Sequence, residues 1–459
     1  GAKKEETVMV EFFQANTHKA VHVGHARNMC IGIAISNLLE FTGYKVVRAN
    51  YQGDIGPHVV KCLWGLQHSD EKPPAKNRLR WLGEIYSKAN KEIEGKEELE
   101  QEIRDMTKKL YEGDKKLTTL WSKTRKWCLE DFEKIYKEFN VKFDNLFFES
   151  EVEPKGKEIV QKLKSQGLAT ESQGALVIDL EKYNLGIYLL LRNDGVALYS
   201  TKDLALAKEK FDAYQIDRSL YVVGSEQELY FKQLFKTLEL MGFEQAKKCR
   251  HISYGLVMLP EGKMSSREGN VVLYDELRDK LYEAAEKGIT ERHKDWKRKQ
   301  VHQTKQILAF SGLKFSMVQK EPNKSIVFDW EKALEFEGET GPYVQYVHAR
   351  ICSIFKKHDG ELPEQADYNL LTHEMEEKIL ALLFRFKEAV EDAAEHYRPH
   401  VMARYLLDLS QAFNEFYHEL PVLQAEQNLM NARLILAASV AQVIKNGLNL
   451  LGIEAPEAM

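Results

Sequence analysis

Thr7-Val8-Met9-Val10-Glu11-Phe12, a polar loop from Gln14 to His25, the apolar-striped run Ala26 to Thr42, Gly43, and then Tyr44-Lys45-Val46-Val47-Arg48-Ala49 decide the fold of this chain. The first and last runs are β-branched and apolar and read as strands. Between them Ile31, Ile35, Leu38 and Leu39 recur at helical spacing, and Gly43 stands where a helix C-cap is expected. Strand, loop, helix, glycine, strand is a βαβ unit, which predicts a parallel α/β sheet. Inside that loop His22-Val23-Gly24-His25 falls just before the helix, where free N–H groups and the positive dipole end meet a phosphate. Gly24 permits close approach of a nucleotide to the backbone, and His22 and His25 can both donate to phosphate oxygens. From the chain's 14 His and 27 Gly, only about 0.03 His-x-Gly-His matches are expected by chance. The competing interpretation, two loop histidines capping a helix, is weakened by their place in the unit.

Outward from this unit the chain changes character. Residues from about 70 to 140 are highly charged and read as helices; Gly174 to Leu191 holds two β-type runs; Leu220 to Val223 and His251 to Met258 resume the strand signal. From about 330 onward helical spacing dominates, as in Met402 to Tyr417, and a last helix is expected over Ala432 to Asn446 with Gly447 as its C-cap. The expected architecture is a Rossmann-like parallel-sheet α/β domain carrying a helical and β insertion, followed by an all-α helical bundle. The expected segments are 1–70 and 196–260 for the two halves of the sheet domain, 71–195 for the insertion, 261–330 for a linking stem, and 331–459 for the bundle.

A 459-residue chain with 44 % hydrophobic and 29 % charged residues is ordinary for a globular protein of several domains. No apolar run reaches the roughly 18 residues of a spanning helix, so a soluble, cytoplasmic protein without membrane contact is expected. The start, Gly1 to Glu6, has no apolar signal region and reads as an edge cut from something longer. Five scattered cysteines without a Cys-x-x-Cys pair argue against a disulfide framework or a structural metal. A net charge of −5 does not advertise nucleic-acid binding, although Lys108 to Trp127 and Arg292 to Lys299 are locally basic and aromatic. Solvated helix faces are the favoured reading of either stretch taken alone.

A second motif, Lys263-Met264-Ser265-Ser266, follows the turn Pro260-Glu261-Gly262. A lysine and two hydroxyls on a loop suit the neutralisation of a departing pyrophosphate. Ser265 and Glu268 could instead form a capping box, but Gly269-Asn270 does not continue a helix.

Together the two motifs resemble the signature pair of class I aminoacyl-tRNA synthetases, and the finer likeness is to the arginyl-tRNA synthetases. It extends through Asn16 to His25, Asn50-Tyr51-Gln52-Gly53-Asp54, Asp194 to Asp203, Gly224 to Gln227, Lys263 to Asn270, Gly341 to Tyr346, Asp408 to Tyr417 and Lys445 to Met459. The resemblance implies that arginine tRNA, ATP with Mg²⁺ and L-arginine are the partners, and that the chain acts as a monomer. It implies ATP contacts at His22, Gly24, His25, Asn28, Lys263, Ser265 and Ser266, with Lys19 sharing the phosphate role. It places arginine beside Glu11, Asn16, His25, Glu149, Tyr199, Asp203 and Gln227, and tRNA beside Tyr343, Tyr346, Asn414 and Tyr417. Read without the family, Glu149 and Asp203 are ordinary surface carboxylates.

The chain departs from the family at Gln14-Ala15, where Ser-Pro is usual, so a change in loop rigidity is expected. The family's own N-terminal domain, which touches the tRNA elbow, has no counterpart before Thr7, and weaker tRNA binding is expected. Two rival readings are a cysteinyl-tRNA synthetase, which would show thiol or histidine zinc ligands, and a catalytically silent tRNA-binding paralogue, which would have lost the histidines or the lysine. The resemblance also implies that activation requires bound tRNA.

Overall fold

The computed structural model describes residues 3–192, 198–260, 272–358 and 360–459. The chain divides into two compact units, one of Glu5–Asn28 with Lys45–Ser253, the other of residues 1–4, Met29–Tyr44 and Tyr254–Met459. The first unit opens with β1 (Thr7–Glu11), the first turn of α1 (Val23–Phe41) and β2 (Lys45–Gln52). Four helices follow: α2 (Pro57–Gln67), α3 (Arg78–Ile93), α4 (Glu97–Tyr111) and α5 (Lys115–Glu138). Next come β3 (Asn145–Phe148), α6 (Glu149–Ser165), β4 (Thr170–Ser172), β5 (Ala175–Asp179) and β6 (Ile187–Leu191). The unit closes with α7 (Tyr199–Tyr214), β7 (Arg218–Gly224), α8 (Glu228–Leu240) and β8 (Cys249–Tyr254).

Its main sheet runs in the order β3-β2-β1-β7-β8. The pairs β1–β2, β1–β7 and β2–β3 are parallel. The chain leaves β1 towards β2 on one side, and β7 later docks on its other side. Strand order therefore reverses at β1, and the crevice beyond the carboxyl ends of the strands is where such a sheet receives ligands. Glu11, Gly53, Glu149 and Gln227 all lie at or just past those ends. The strands β4, β5 and β6 form a separate antiparallel sheet.

The βαβ reading holds, with the helix starting three residues earlier than expected and Gly43 at φ 98° after it. β3 has no signal in the sequence: four residues show no period, and its pairing with β2 joins Asn145 to Ala49, far away in the chain.

The second unit contains the rest of α1, the parallel pair β9 (Val257–Met258) and β10 (Ile326–Val327), α9 (Tyr274–Arg292) and α10 (Arg298–Val318). Five more helices complete it: α11 (Gly341–His358), α12 (Glu374–Phe384), α13 (Phe386–Glu395), α14 (Pro399–Glu419) and α15 (Gln427–Leu450). Leu406, Leu409, Phe413 and Phe416 of α14 and Ala437, Val440 and Ile444 of α15 are buried. None of the described helices is long and apolar enough to cross a membrane.

The expected cap at Gly447 is not a cap. α15 continues to Leu450, and the left-handed residue is Gly452 at φ 71°. There Gly452 N–H donates to Asn449 O at 2.9 Å and Ile453 N–H to Leu448 O at 2.8 Å, the paired closure of a Schellman motif. Gly447 is small for another reason: a Cβ there would lie 2.6 Å from Cδ2 of the buried Leu406. Gly447→Ala gains about 1 kcal/mol of helix propensity but costs about 1–3 kcal/mol in overpacking. A net loss near 1 kcal/mol is expected, read as a lower urea midpoint with an unchanged m-value.

Candidate functional site

The loop after β1 is held in a backbone path that ordinary residues avoid. Phe13, Gln14 and His18 have φ of 77°, 43° and 62°. Each is tied down. Phe13 N–H donates to Asn28 Oδ1 at 2.5 Å and Gln14 N–H to Asn50 Oδ1 at 3.0 Å. Gln14 Nε2 donates to Glu11 Oε1 at 3.0 Å, and Asn28 Nδ2 reaches Gln14 Oε1 and Val222 O. The fully buried His18 ring bonds Thr17 and Thr124 hydroxyls, and burial pushes its pKa down to about 3. At Gln14-Ala15 the loop thus takes its rigidity from side-chain hydrogen bonds. Asn28, expected beside ATP, has its amide engaged in this bracing.

At the start of α1, Gly24 N–H donates to His22 Nδ1 at 3.1 Å, and His22 N–H donates to His25 Nδ1 at 3.2 Å. Both Nδ1 atoms are acceptors, so each neutral ring carries its proton on Nε2. Burial, then the charge of Lys19, lowers the His22 pKa to about 4. Burial, then His22 and Lys19, lowers that of His25. The ring centroids are 3.9 Å apart. A Cβ on Gly24 would stand 2.9 Å from His22 Cε1, so this glycine first of all lets the His22 ring fold back over the turn. The result is a pair of neutral, pre-oriented N–H donors at a helix N-terminus, with the partly buried Lys19 ammonium in electrostatic reach of both. The Lys19 Nζ lies 5.2 Å from the Tyr86 ring centre.

Past the ends of β2 and β3 the carboxylates converge. A Cβ on Gly53 would fall 2.1 Å from Asn16 Oδ1 and 3.2 Å from Glu149 Oε1, so the glycine leaves the room that both side chains need. Asp54 fixes the first turn of α6 by accepting Ser150 N–H at 2.9 Å and Ser150 Oγ–H at 2.7 Å, while Arg125 Nε balances its charge at 2.7 Å. Glu149 is buried and Asp203 is half-buried with its Oδ1 shut off from solvent, so neither is the surface carboxylate expected.

One buried ammonium, Lys202, serves two carboxylates: Glu149 at 2.8 Å and Glu153 at 3.3 Å. Burial raises the Glu149 pKa against the pull of Lys202, with Asp54 and Glu153 adding to the rise. Lys202 is itself raised, because Glu149 and Glu153 outweigh its burial. Glu11 is paired with Lys210 at 2.5 Å. Asp203 accepts the Tyr230 hydroxyl, and burial pushes its pKa up to about 7. Its Oδ1, like the buried Tyr51 hydroxyl, has no hydrogen-bond partner among the described residues. Against the five carboxylates Glu11, Asp54, Glu149, Glu153 and Asp203 stand the paired cations Arg125, Lys202 and Lys210, so the cluster has an excess of acidic groups and Asp203 Oδ1 is left open. Tyr199, 54 % exposed at the start of α7, and Gln227, exposed in the turn before α8, flank this region in sequence order after β6 and β7.

Sequence reasoning missed Tyr51, Lys202, Lys210 and Tyr230. The adjacency of Lys202 to Asp203 was the one available signal. Lys263, Ser265, Ser266 and residues 194–197 lie outside the described residues.

In the second unit, the four aromatic and amide residues expected beside tRNA meet around one that was not expected, Arg350. Its Nη1 donates to Asn414 Oδ1 at 2.6 Å and its Nη2 to the Tyr346 hydroxyl at 3.2 Å. Asn414 Nδ2 in turn donates to the Tyr343 hydroxyl at 3.0 Å. The guanidinium carbon sits 4.7 Å from the Tyr346 ring centre and 5.1 Å from that of Tyr417. Arg350, Tyr346 and Tyr417 line a cavity of about 670 Å³ together with Trp296, which stacks on His293 at 4.0 Å. Flat rings beside a fixed guanidinium suit an unstacked nucleobase.

Residues 1–330 match the family model for the class I (R) tRNA synthetase catalytic domain, and 344–459 that for the DALR anticodon binding domain. The chain is 40 % identical to an arginine–tRNA ligase of Bdellovibrio bacteriovorus, over all of this chain and 80 % of that protein. It is 36 % identical to one from Clostridioides difficile, over 99 % of this chain and 80 % of the relative. Among solved structures, the arginyl-tRNA synthetase of Thermus thermophilus superposes with a TM-score of 0.88 at 29 % identity, covering all of this chain and 83 % of the other.

Proposed function

The chain belongs to the arginyl-tRNA synthetase family, enzymes that activate arginine with ATP and join it to arginine tRNA, and on that premise we propose how its residues divide the work. His22 and His25 donate Nε2–H to the ATP phosphates, and Lys19, shared with Lys263, neutralises charge as the arginine carboxylate attacks the α-phosphorus. The new P–O bond forms as the bond to pyrophosphate breaks, so positioning and charge stabilisation carry the step. Mg²⁺ arrives on the ATP phosphates as part of the substrate. Asn16 and Gln227 hold the amino-acid end of arginine, with Glu11 nearby, and Tyr199 covers the guanidinium plane. Asp203, Glu149 and the Tyr51 hydroxyl receive the guanidinium; the excess of carboxylates, with Asp203 Oδ1 open, is the observation that carries this reading. The terminal ribose 2′-hydroxyl of the tRNA then attacks the adenylate carbonyl and AMP leaves. Tyr343, Tyr346, Asn414 and Tyr417, organised by Arg350, take an anticodon nucleotide within the 331–459 segment.

Exchange of pyrophosphate into ATP tests the assignment. Exchange is expected with arginine plus arginine tRNA, and not with lysine, which leaves guanidinium acceptors unpaired. His22→Ala removes one charge-assisted donor of about 1.5–3 kcal/mol, so the exchange rate is expected to fall roughly 10- to 150-fold with little change in arginine KM. An unchanged rate in His22→Ala would remove that imidazole from the phosphate site.

A further inference from the structure

Beyond the Schellman turn at Gly452, the segment Ile453 to Glu457 forms neither helix nor strand. Its backbone is nonetheless tied at every second residue. Lys314 Nζ of α10 donates to Gly452 O at 2.5 Å, Gln345 Nε2 of α11 to Glu454 O at 2.6 Å, and His348 Nδ1 of α11 lies 2.9 Å from Pro456 O. Three side chains thus hold the carbonyls of residues 452, 454 and 456, groups that no helix or strand of the segment satisfies. All three donors are buried, and the Lys314 pKa is lowered to about 8 by burial. A buried lysine directed to a backbone carbonyl is costly to keep and is not needed merely to cover a hydrophobic end.

These contacts sit beside the candidate nucleotide cavity. Gln345 and His348 neighbour Tyr346 and Arg350 on α11, and Ala458 and Met459, just past the last of them, line the cavity. We infer that Lys314, Gln345 and His348 are positioning residues for tRNA recognition, acting by holding the 452–457 strap so that Ala458 and Met459 wall the pocket around Arg350. This rests on the reading of that pocket as the site of a tRNA nucleotide. It makes specificity for the nucleotide depend on buried side chains that never touch it.

The full chain is assayed for aminoacylation of an arginine tRNA transcript, with melting temperature measured alongside. Gln345→Met keeps side-chain length without a donor and is expected to raise the tRNA KM about two- to tenfold, the effect of one neutral hydrogen bond. The arginine and ATP KM and the kcat at saturating tRNA are expected to stay unchanged. His348→Leu behaves likewise, while His348→Asn, whose Nδ2 takes the place of the imidazole Nδ1, restores the KM. Deleting residues 458–459 raises the tRNA KM at least as far, and adding Gln345→Met to the deletion raises it no further. Additive effects in that combination, or equal defects in His348→Asn and His348→Leu, would overturn the inference. So would a normal tRNA KM in Gln345→Met when Arg350→Ala raises it, an outcome that leaves the pocket reading intact. If Arg350→Ala itself has a normal tRNA KM, the pocket reading falls and the inference with it.

Discussion

Asp203→Asn is expected to raise the arginine KM by roughly 30- to several-thousand-fold, the range of about 2–5 kcal/mol for losing one partner of a desolvated charge pair. The amide keeps the volume and the contact with Tyr230 but removes the charge that the guanidinium answers. ATP binding should be unaffected, because the proposed assignment gives the nucleotide to the histidine pair. The pH profile adds a second readout. With its pKa pushed up to about 7 by burial, Asp203 is largely protonated below that pH in the free protein. The wild-type kcat/KM for arginine should therefore rise with pH and level off above about 7, whereas the Asp203→Asn protein should lack that limb. Stability moves the other way. A carboxyl whose folded pKa lies above its ordinary value of 3.8 binds more protons folded than unfolded, so stability falls as pH rises through that interval. Asp203→Asn escapes this cost, and above a pH of about 7 its urea midpoint should not drop. A variant that loses arginine together with stability would show that Asp203 is a structural group.

Lys202→Met is the larger effect on the fold. It leaves Glu149 and Glu153 buried and without their shared ammonium, and a buried pair broken on one side costs about 3–5 kcal/mol. Urea denaturation at a pH of about 7.5 is expected to show a loss of that size. At a pH of about 5 the loss should shrink, because Glu149, whose raised folded pKa would lie higher still without Lys202, can take up a proton that the unfolded chain does not hold as tightly. A loss independent of pH would mean that the methionine simply packs badly. Wild-type stability, by contrast, should fade at high pH as Lys202 deprotonates above its raised pKa.

These two residues show where sequence reading stops. The βαβ unit was legible because Ile31, Ile35 and Leu38 repeat within a few residues, and the histidine motif because its place relative to that unit is local. The identity of the pocket carboxylates came only from resemblance. Nothing local tells that Glu149 is buried, since its partner lies 53 residues further on and its neighbour across Gly53 is Asn16. Arg350 was passed over although it stands four residues from Tyr346, because its role appears only when α14 brings Asn414 and Tyr417 alongside. Gly447 misled for a related reason. A glycine after an apolar run looks like an ending, and only the side chain of the distant Leu406 gives it another purpose.

The hydrogen bonds that fix Nδ1 of His22 and His25 have a consequence for how the enzyme meets acid. A phosphate grip built from imidazoles that are already neutral needs no proton from solvent, and with the His22 pKa lowered to about 4 it holds the same form across the range in which cells live. Asp203, by contrast, changes state inside that range. Under the proposed assignment, the histidine donors keep one form through that range while the arginine-binding carboxylate does not. A fall in pH should thin the supply of charged tRNA by starving the enzyme of arginine while its hold on ATP persists.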